Sequence, residues 1–374
     1  MSKTTFAALM FFSFTNLSKE WAVCGQALRE KLKIPPKDTG MLMDCPTCGR
    51  DCIRPAVEVL ANLDRIFMAC PACEPDPALD KGASLASLPR EVERCPACGR
   101  APLDAVMLDA LHIMEEHGLR SKKDNLRSVG TPLISVGYPL AYPPRLGKRS
   151  LIIIGERLNT DAAEAMLERI PEIKGVILSK GVPGVRDLQA APLENRLLAG
   201  CDLRADVVAG LFGELLIYKS QSKIHIEFPK IGAPKMKILE QLYFSGKLQD
   251  VADGLCGPGT LGLMCALAGA RRVVLNDAWL PAVENVMLNL EVNRSLLGIA
   301  EIERLETPPS AVGSEPVLVG RAHGICEIEV YHGDLKRLFT RAFPARLCLI
   351  DHFPGSKTGD LEEACRRCGE IVIV

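Results

Sequence analysis

The chain is poor in aromatic residues and carries almost no net charge. Aromatic residues make up 5% of its 374 positions, and the formal net charge at pH 7 is −1. Few rings argue against a platform for stacking bases, and a near-zero charge provides no global basic field to attract nucleic acid. Hydrophobic residues make up 48% of the chain, which is enough for sizeable cores.

Long hydrophobic runs are also lacking. No stretch reaches the roughly eighteen apolar residues of a membrane span, so we predict no membrane association. The short apolar run Phe6–Phe14 follows a single Lys3, with no convincing A-x-A cleavage site after it. This favours a buried helix or a partner contact over a signal peptide, and we expect a cytoplasmic protein.

Cysteine, by contrast, is abundant, with 15 residues concentrated in C-x-x-C pairs. This usage suits metal binding in a reducing cytoplasm better than secreted disulfides. Cys45 and Cys48 are followed, after 21 intervening residues, by Cys70 and Cys73. Zinc prefers four tetrahedral sulfur or nitrogen ligands, so we predict that these four cysteines form one structural Zn²⁺ site.

The third pair, Cys95 and Cys98, needs two further ligands. His112 and His117 follow on a predicted helix, Leu103–His117, in the spacing C-x2-C-x13-H-x4-H of a Cys2His2 finger. We predict a second zinc site from these four residues. The alternative is that both histidines are surface residues, and the cysteines then pair with another such as Cys52 or bind metal at a dimer contact.

A glycine loop marks the nucleotide-binding part of the chain. Val251–Gly259 predicts the end of a buried strand, then Asp253, then a turn with Gly257 and Gly259 that opens a helix, Thr260–Ala270. Glycines let the backbone turn tightly and approach a ligand, and the helix N-terminus points at that ligand.

Three further predicted strands also end in polar residues. Arg271–Asp277 ends in Asn276 and Asp277, Glu327–Tyr331 leads to Asp334, and Arg346–Ile350 leads to Asp351 and His352. In βαβ units an acid at the end of the second strand binds ribose hydroxyls, and open α/β sheets bind ligands at the carboxyl ends of their strands. We therefore predict an α/β, Rossmann-like fold with a ligand site at this edge.

The chain divides into five predicted segments. Residues 1–40 are a helical segment, 41–119 a zinc-ribbon or zinc-finger region, and 120–150 a linker rich in Pro, Gly, Lys and Arg. Residues 151–235 form a small α/β domain, and 236–374 the nucleotide-binding domain. Residues 301–326 read as an insertion with Pro and Gly.

Residues 151 to about 355 resemble the tRNA guanine-N1 methyltransferase and wybutosine-synthesis transferase family, class I proteins that bind S-adenosylmethionine. The resemblance is specific over residues 250–293 and looser elsewhere. The motifs that carry it are Gly184–Arg186, Glu194–Gly200, Ser222-Lys223, Asn276–Pro281, Glu284-Asn285 and Leu288–Asn293.

The resemblance implies roles for the polar residues. Asp253, Gly257 and Gly259 would surround the methionine moiety of S-adenosylmethionine, with Asp277 at the ribose and Asp334 at the adenine. Asn276 is also predicted to bind the cofactor. Asp351–Pro354 takes the place of the family's Asn-Pro-Pro or Asn-Leu-Pro motif beside the methyl acceptor. There Asp351 would accept a hydrogen bond from an amine or amide acceptor and His352 would act as a base near neutral pH, so we predict that both are catalytic. The alternative for His352 is a packing residue under the sheet edge.

Several positions depart from the family. Alignment on Ser222-Lys223 puts Phe212 where the family has a catalytic Glu, and Glu214 lies two residues on. The arginine-rich helix becomes Lys235–Leu242, and Asp351 replaces Asn. The predicted substrate is a macromolecule, with RNA (tRNA) favoured over protein. The alternatives are aminocarboxypropyl transfer from the same cofactor and a non-catalytic, zinc-containing module that binds a partner.

Two segments suggest interactions. The strand Glu370–Val374 would be the fifth of the sheet, in a class I fold without its final hairpin. An apolar edge strand promotes association, so we expect a homodimer or a partner chain there. The basic stretch Arg120–Arg127, with Arg145, Lys148 and Arg149, would follow a phosphate backbone or form a solvated linker.

Overall fold

The computed structural model describes most of the chain after residue 42. The described residues are 43–76, 78–90, 93–181, 195–230, 232–305, 307, 309–341, 345–352 and 359–374. The predicted N-terminal helical segment lies outside them, as do Gly184–Arg186, Glu194 and Pro354. None of the helices in the described ranges is long and apolar enough to cross a membrane.

The cysteine-rich region contains short helices and one long one. Its elements are α1 (Ala56–Ala61), α2 (Leu63–Ile66), a 3₁₀ turn (Leu85–Ser87), strand β1 (Ala101–Pro102) and α3 (Leu103–Glu116). Helix α3 ends one residue before its predicted end. Leu108, Leu111 and Met114 on α3 are fully buried, so this helix anchors the region to the rest of the molecule.

Residues 120–150 are folded, which differs from the predicted linker. They contain a 3₁₀ turn (Leu126–Ser128) and the strands β2 (Thr131–Ile134), β3 (Val136–Gly137) and β4 (Arg145–Leu146). β4 pairs with β1, and the apolar side chains of Val129 and Leu133 are fully buried. Scattered apolar residues between Pro and Gly therefore pack into the core, and composition alone hides them.

The middle of the chain forms two small sheets. Its elements are β5 (Leu151–Gly155), α4 (Thr160–Arg169), β6 (Ile173–Leu178), β7 (Arg196–Gly200), β8 (Leu203–Gly210) and β9 (Gly213–Ser220). The sheet orders are β2-β5-β6-β7 and β3-β8-β9. β5, α4 and β6 make a parallel βαβ unit, as predicted for this α/β segment.

The C-terminal part forms one large sheet with its helices. Its elements are α5 (Pro234–Phe244), β10 (Asp250–Asp253), α6 (Thr260–Leu267), β11 (Arg272–Asp277), α7 (Leu280–Val292), α8 (Arg294–Leu297), β12 (Ile299–Arg304), β13 (Val317–Gly324), β14 (Glu327–His332), α9 (Leu335–Arg341), β15 (Leu347–Ile350), α10 (Gly359–Ala364) and β16 (Glu370–Ile373).

The order of this sheet is β12-β13-β14-β11-β10-β15-β16. Five neighbouring strands of this sheet are parallel, in the order β14-β11-β10-β15-β16. If these five are renumbered 1 to 5 along the chain, their order is 3-2-1-4-5, which is that of a doubly wound, Rossmann-like sheet. The predicted fold class is confirmed. The predicted insertion at 301–326 contains the end of β12 and all of β13, which extend the sheet as antiparallel strands.

Apolar side chains cover both faces of the sheet. One core joins β10, β11 and β14 to α5, α6 and α7, and a smaller one packs α9 against the opposite face. Parallel strands buried on both faces read as continuous apolar runs, which is the pattern of β11 and β15. The strand order brings the carboxyl ends of β10, β11, β14 and β15 to one edge.

Candidate functional site

The acids that follow β10, β11, β14 and β15 meet at this edge. Asp253 is the last residue of β10, and Asp277 and His332, which end β11 and β14, lie opposite each other in the strand register. Asp334 and Asp351 come one or two residues after their strands. The structure thus brings together the residues predicted to bind a cofactor, because parallel strands end on the same side.

The glycine loop has the backbone that the sequence predicts. Gly257 and Gly259 have φ of 52° and 89°, in the left-handed region that side chains disfavour. Gly259 also caps α6, and a Cβ there would lie 3.2 Å from a Val286 methyl. The loop is therefore fixed by both backbone conformation and packing.

Asp277 ties this loop to the second strand. Its carboxylate accepts hydrogen bonds from the backbone N–H groups of Gly257 at 2.9 Å and of Trp279 at 2.8 Å. Burial raises the pKa of Asp277, and the two backbone donors work in the opposite direction. The residue is half-buried, and a carboxylate has about four acceptor positions, so capacity remains for ligand hydroxyls.

Asn276 occupies a different position from its neighbour. Its side chain is fully buried and donates to the carbonyls of Gly254 at 3.1 Å and Gly333 at 3.2 Å. The residue therefore braces the two loops that flank β11. Its predicted contact with a cofactor stays a prediction.

Asp253 lies almost completely buried beneath the loop. Its Oδ2 accepts the N–H of Gly262 in α6 at 3.0 Å, and its Oδ1 has no hydrogen-bond partner among the described residues. Burial, reinforced by the charge of Asp351, raises the pKa of Asp253 to about 8. The carboxyl is therefore largely protonated at neutral pH, and a cation beside it would favour the ionised form.

The third strand end holds His332 and Asp334. Burial lowers the pKa of His332, and its Nε2 has no partner among the described residues. Asp334 accepts the N–H of Lys336 at 3.0 Å and remains half-exposed, so its predicted role at an adenine amino group stays open to it.

Asp351 has a partner, Lys235, that the sequence did not identify. Lys235 of α5 places its Nζ 2.6 Å from Asp351 Oδ2 and 2.8 Å from an oxygen of Glu227. Asp351 and Lys235 lie 116 positions apart, and no spacing rule connects them. His352 follows, half-buried, with its Nδ1 unpartnered in the described part of the structure.

The cysteines form two groups of four, and the predicted grouping is wrong. In each group the four sulfur atoms all lie within 4.8 Å of one another. The first group is Cys45, Cys48, Cys52 and Cys201, and the second is Cys70, Cys73, Cys95 and Cys98. Each group contains one Cys-Pro-x-Cys-Gly turn, closed by a bond of 2.8 or 2.7 Å from the glycine N–H to the first cysteine carbonyl.

Distance in sequence explains the error. Cys70 and Cys73 lie 21 residues from the pair before them and 21 residues from the pair after them, so spacing alone does not choose between the two groupings. In the structure the sulfur of Cys45 lies 3.6 Å from that of Cys201, a residue 156 positions away between β7 and β8. Cys70 lies instead 3.7 Å from Cys95. Only tertiary structure supplies the fourth cysteine of the first group.

The predicted role of the histidines is also wrong. His112 Nε2 lies 3.0 Å from the carbonyl oxygen of Pro89, and neither His112 nor His117 belongs to a sulfur group. His117 is exposed at the end of α3. The alternative of surface histidines on an amphipathic helix is the one that the structure favours.

The sulfur spacing fits a tetrahedral ion. Neighbouring sulfurs are 3.4–3.9 Å apart in the first group and 3.6–3.7 Å in the second. A tetrahedron with zinc–sulfur bonds of about 2.3 Å has sulfurs about 3.8 Å apart. Arg149 adds positive charge at the first group, with its Nη2 3.4 Å from the sulfur of Cys52.

Two basic residues of 120–150 have a structural role. Arg120 donates to the carbonyls of Leu119 and Ser128, and Arg145 pairs with Asp76 at 2.6 Å. Arg127 and Arg157 are exposed on the wall of a cavity of about 670 Å³ at the ends of β5 and β6. Two arginines thus remain able to meet an anion.

No protein-family model matches the chain, and no curated protein does. Among solved structures it is similar to Trm5b from Pyrococcus abyssi, with 15% identity, a TM-score of 0.35, and coverage of 59% of this chain and 56% of that chain. The tRNA m1G37 methyltransferase of M. jannaschii is 15% identical, with a TM-score of 0.35 and coverage of 70% of this chain and 62% of that chain.

Trm1 from Pyrococcus horikoshii, solved with S-adenosyl-L-methionine, is 22% identical, with a TM-score of 0.33 and coverage of 45% of this chain and 42% of that chain. The matched regions thus span about half of these proteins. Because every TM-score is below 0.5, the fold assignment rests on the sheet order of the chain itself.

Proposed function

We propose that the chain is an S-adenosylmethionine-dependent methyltransferase acting on a macromolecule, with RNA favoured over protein. The observation that carries the proposal is the bond from Gly257 N–H to Asp277, which joins the glycine loop to the acid of the second strand. That pair forms a cradle for a nucleoside at the switch point of a 3-2-1-4-5 sheet. The family that the sequence resembles and the similar solved structures are of the same class of enzyme as the one proposed.

The residues at the edge divide the work of binding. Asp277 would accept the ribose hydroxyls with its free lone pairs, and Asp334 would meet the adenine amino group. Asp253 would lie under the positive sulfonium, where its buried carboxyl favours a cation once ionised. Gly257 and Gly259 leave room for close approach of the ligand.

Methyl transfer requires an acceptor lone pair to form a bond to the methyl carbon while the carbon–sulfur bond breaks and its electrons stay on sulfur. The protein has to orient the acceptor and take up its proton. Asp351, at the end of β15, would accept that proton from a nitrogen acceptor, and His352 is the second candidate.

RNA is favoured for two reasons. The sequence resembles transferases that act on tRNA, and the exposed Arg127 and Arg157 supply cations that a phosphate backbone can use. A partner chain or a second copy at β16, where Ile373 is exposed, remains part of the proposal, as does a cytoplasmic location.

The two sulfur groups would each hold Zn²⁺. Their spacing and thiol chemistry fit the ion, and four protein ligands leave no position for water, so the sites would be structural. The first would fasten the chain around Cys45 to the β7–β8 turn at Cys201. The second would close the loop between Cys70 and Cys98.

The direct test is calorimetric titration of the zinc-loaded protein with S-adenosylmethionine and, separately, with NADH. We expect micromolar binding of the first alone. Binding of neither would contradict the proposal and favour a partner-binding module. Incubating total tRNA with cofactor labelled in the methyl group or in the carboxyl group then separates methyl transfer from aminocarboxypropyl transfer.

A further inference from the structure

Lys235 joins two carboxylates beside the proposed acceptor position. Its ammonium lies 2.6 Å from Asp351 and 2.8 Å from Glu227, so one cation holds two anions that come from different parts of the chain. The side chains of Lys235 and Asp351 are only 32% and 27% exposed. A charge-assisted pair that is largely withdrawn from water fixes the carboxylate orientation better than an exposed one.

The pair is the outer end of a longer alternation of charge. Glu227 lies 3.8 Å from Lys219, Lys219 lies 3.2 Å from Asp206, and Asp206 lies 2.7 Å from Arg204. Lys219, Asp206 and Arg204 are almost fully buried. The series therefore anchors Lys235 to the rigid strands β8 and β9, and its three cations balance its three anions.

We propose that Lys235 is a positioning residue, which clamps Asp351 through this series so that its carboxylate faces the methyl position in one orientation. The inference rests on the proposed function, since Asp351 is there the proton acceptor. It adds a residue and a mechanism that the sequence did not indicate. The departure from the family at Phe212, where the family has a catalytic Glu, supports the proposal. Here Glu227 supplies a carboxylate near the acceptor from another part of the chain.

The surroundings of Asp351 define the electrostatic consequence. The charged and titratable groups that act on it are Lys235, Glu227, His225 and Asp253. Burial raises the pKa of Asp351, and Lys235 opposes that rise. Without Lys235 the pKa of Asp351 would rise further, because Glu227 and Asp253 disfavour a second negative charge.

Two cofactor analogues test the clamp without knowledge of the acceptor. Sinefungin carries an amine where the sulfonium methyl stands, whereas S-adenosylhomocysteine has nothing there. Calorimetry at pH 8 on the full chain gives the ratio of the two affinities. In Lys235→Met the amine of sinefungin can replace the lost ammonium. We therefore expect the affinity for sinefungin, divided by that for S-adenosylhomocysteine, to rise at least tenfold. The affinity for S-adenosylhomocysteine itself should stay within twofold of that of the unaltered protein.

Variants on the same helix provide the controls. Lys237→Met removes an exposed lysine two residues away and should leave the ratio unchanged, and Lys235→Arg should stay within threefold of it. Lys235→Gln gives a second neutral variant if Lys235→Met does not fold. If an RNA substrate is identified, the acidic limb of the pH–rate profile for its methylation should move to higher pH in Lys235→Gln.

The outcomes separate the two proposals. A ratio unchanged within twofold in a folded Lys235→Met would overturn the clamp, even if the protein binds the cofactor and methylates RNA. Failure of the unaltered protein to bind either analogue would instead refute the proposed function, and the clamp with it.

Discussion

Asn289 and Tyr218 exchange two hydrogen bonds, as paired strands do. The Asn289 side chain accepts the N–H of Tyr218 at 2.7 Å and donates to its carbonyl at 3.0 Å. The Asn293 side chain likewise accepts the N–H of Leu216 and donates to its carbonyl, and the Asn285 side chain accepts the N–H of Ser220. Asparagines four apart on α7 thus cover alternate residues of β9, which would otherwise be an open edge.

Asn289 also connects this edge to the glycine loop. Its Nδ2 donates to the carbonyl of Pro258 at 3.0 Å. One side chain therefore holds the middle sheet and the proposed cofactor loop together. A pattern that resembles a family motif in sequence has, in the structure, a bracing role.

We expect Asn289→Leu to lower the free energy of unfolding by about 3 kcal/mol, because it leaves buried backbone groups of Tyr218 and Pro258 without partners. Urea denaturation followed by circular dichroism measures the change. Glu284→Ala, on an exposed face of the same helix, should stay within about 0.5 kcal/mol. Equal effects of the two substitutions would contradict the bracing role.

Asp277→Ala should weaken S-adenosylmethionine binding by about tenfold or more, since it removes the ribose acceptor and an anchor of the glycine loop. Zinc content should not change. Calorimetry and elemental analysis make the two measurements, with the exposed Asp161→Ala as the control. Unaltered affinity would refute the assignment of the ribose site.

Cys201→Ser should reduce bound zinc from about two ions per chain to about one, because it removes a ligand from one complete tetrahedral set. Mass spectrometry of the metal content decides it. Cys326→Ser, a buried cysteine outside both groups, should keep both ions. Retention of both ions by Cys201→Ser would restore the grouping predicted from sequence.

His112→Ala and His117→Ala should each leave the zinc content unchanged. The second sulfur group is complete without them, and His112 instead contacts the carbonyl of Pro89. Elemental analysis of the double variant is sufficient. Loss of one ion would show that a histidine binds zinc after all.

Asp253 should make stability depend on pH. Its pKa in the folded state, about 8, lies above that of an unfolded aspartate, so its stabilising contribution is full below about pH 4 and is lost as pH rises to about 8. Relative to Asp253→Asn, the unaltered protein should therefore lose up to about 1.4 kcal/mol per pH unit between pH 6 and 8.

Thermal unfolding of both proteins between pH 6 and 9, with zinc present, measures this difference. The difference between the melting temperatures of the two proteins should grow as the pH rises to about 8 and stay constant above it. Parallel curves throughout would show that Asp253 is ionised at neutral pH. Saturating S-adenosylmethionine should reduce the divergence, because a cation favours the ionised carboxyl.

Local patterns in the sequence were enough for the elements at the ligand edge. The D-x-x-x-G-x-G loop, the acid of β11 and the polar ends of β14 and β15 each follow from spacing within one βαβ unit. Parallel pairing then brings them together without further information. The predicted bounds of α3 hold to within one residue, because strong apolar periodicity fixes them.

The composition of 120–150 predicted a linker, and the structure shows β2, β3 and β4 there. Frequent Pro, Gly and basic residues are typical of exposed segments, but a few apolar side chains decide burial. The same limit applies to 301–326, where Pro and Gly between two apolar stretches concealed the antiparallel strands β12 and β13.

By itself the sequence determined the fold class and the polar residues that follow its strands, and it predicted metal binding from the cysteine pairs, because these depend on residues close together in the chain. Only the tertiary structure decided which cysteines lie together, that His112 and His117 lie outside both sulfur groups, and that Lys235 joins Asp351 to Glu227. The contacts of Cys45 with Cys201 and of Lys235 with Asp351 connect residues more than a hundred positions apart. Side-chain contacts of that range depend on how sheets and helices pack, which no local spacing encodes.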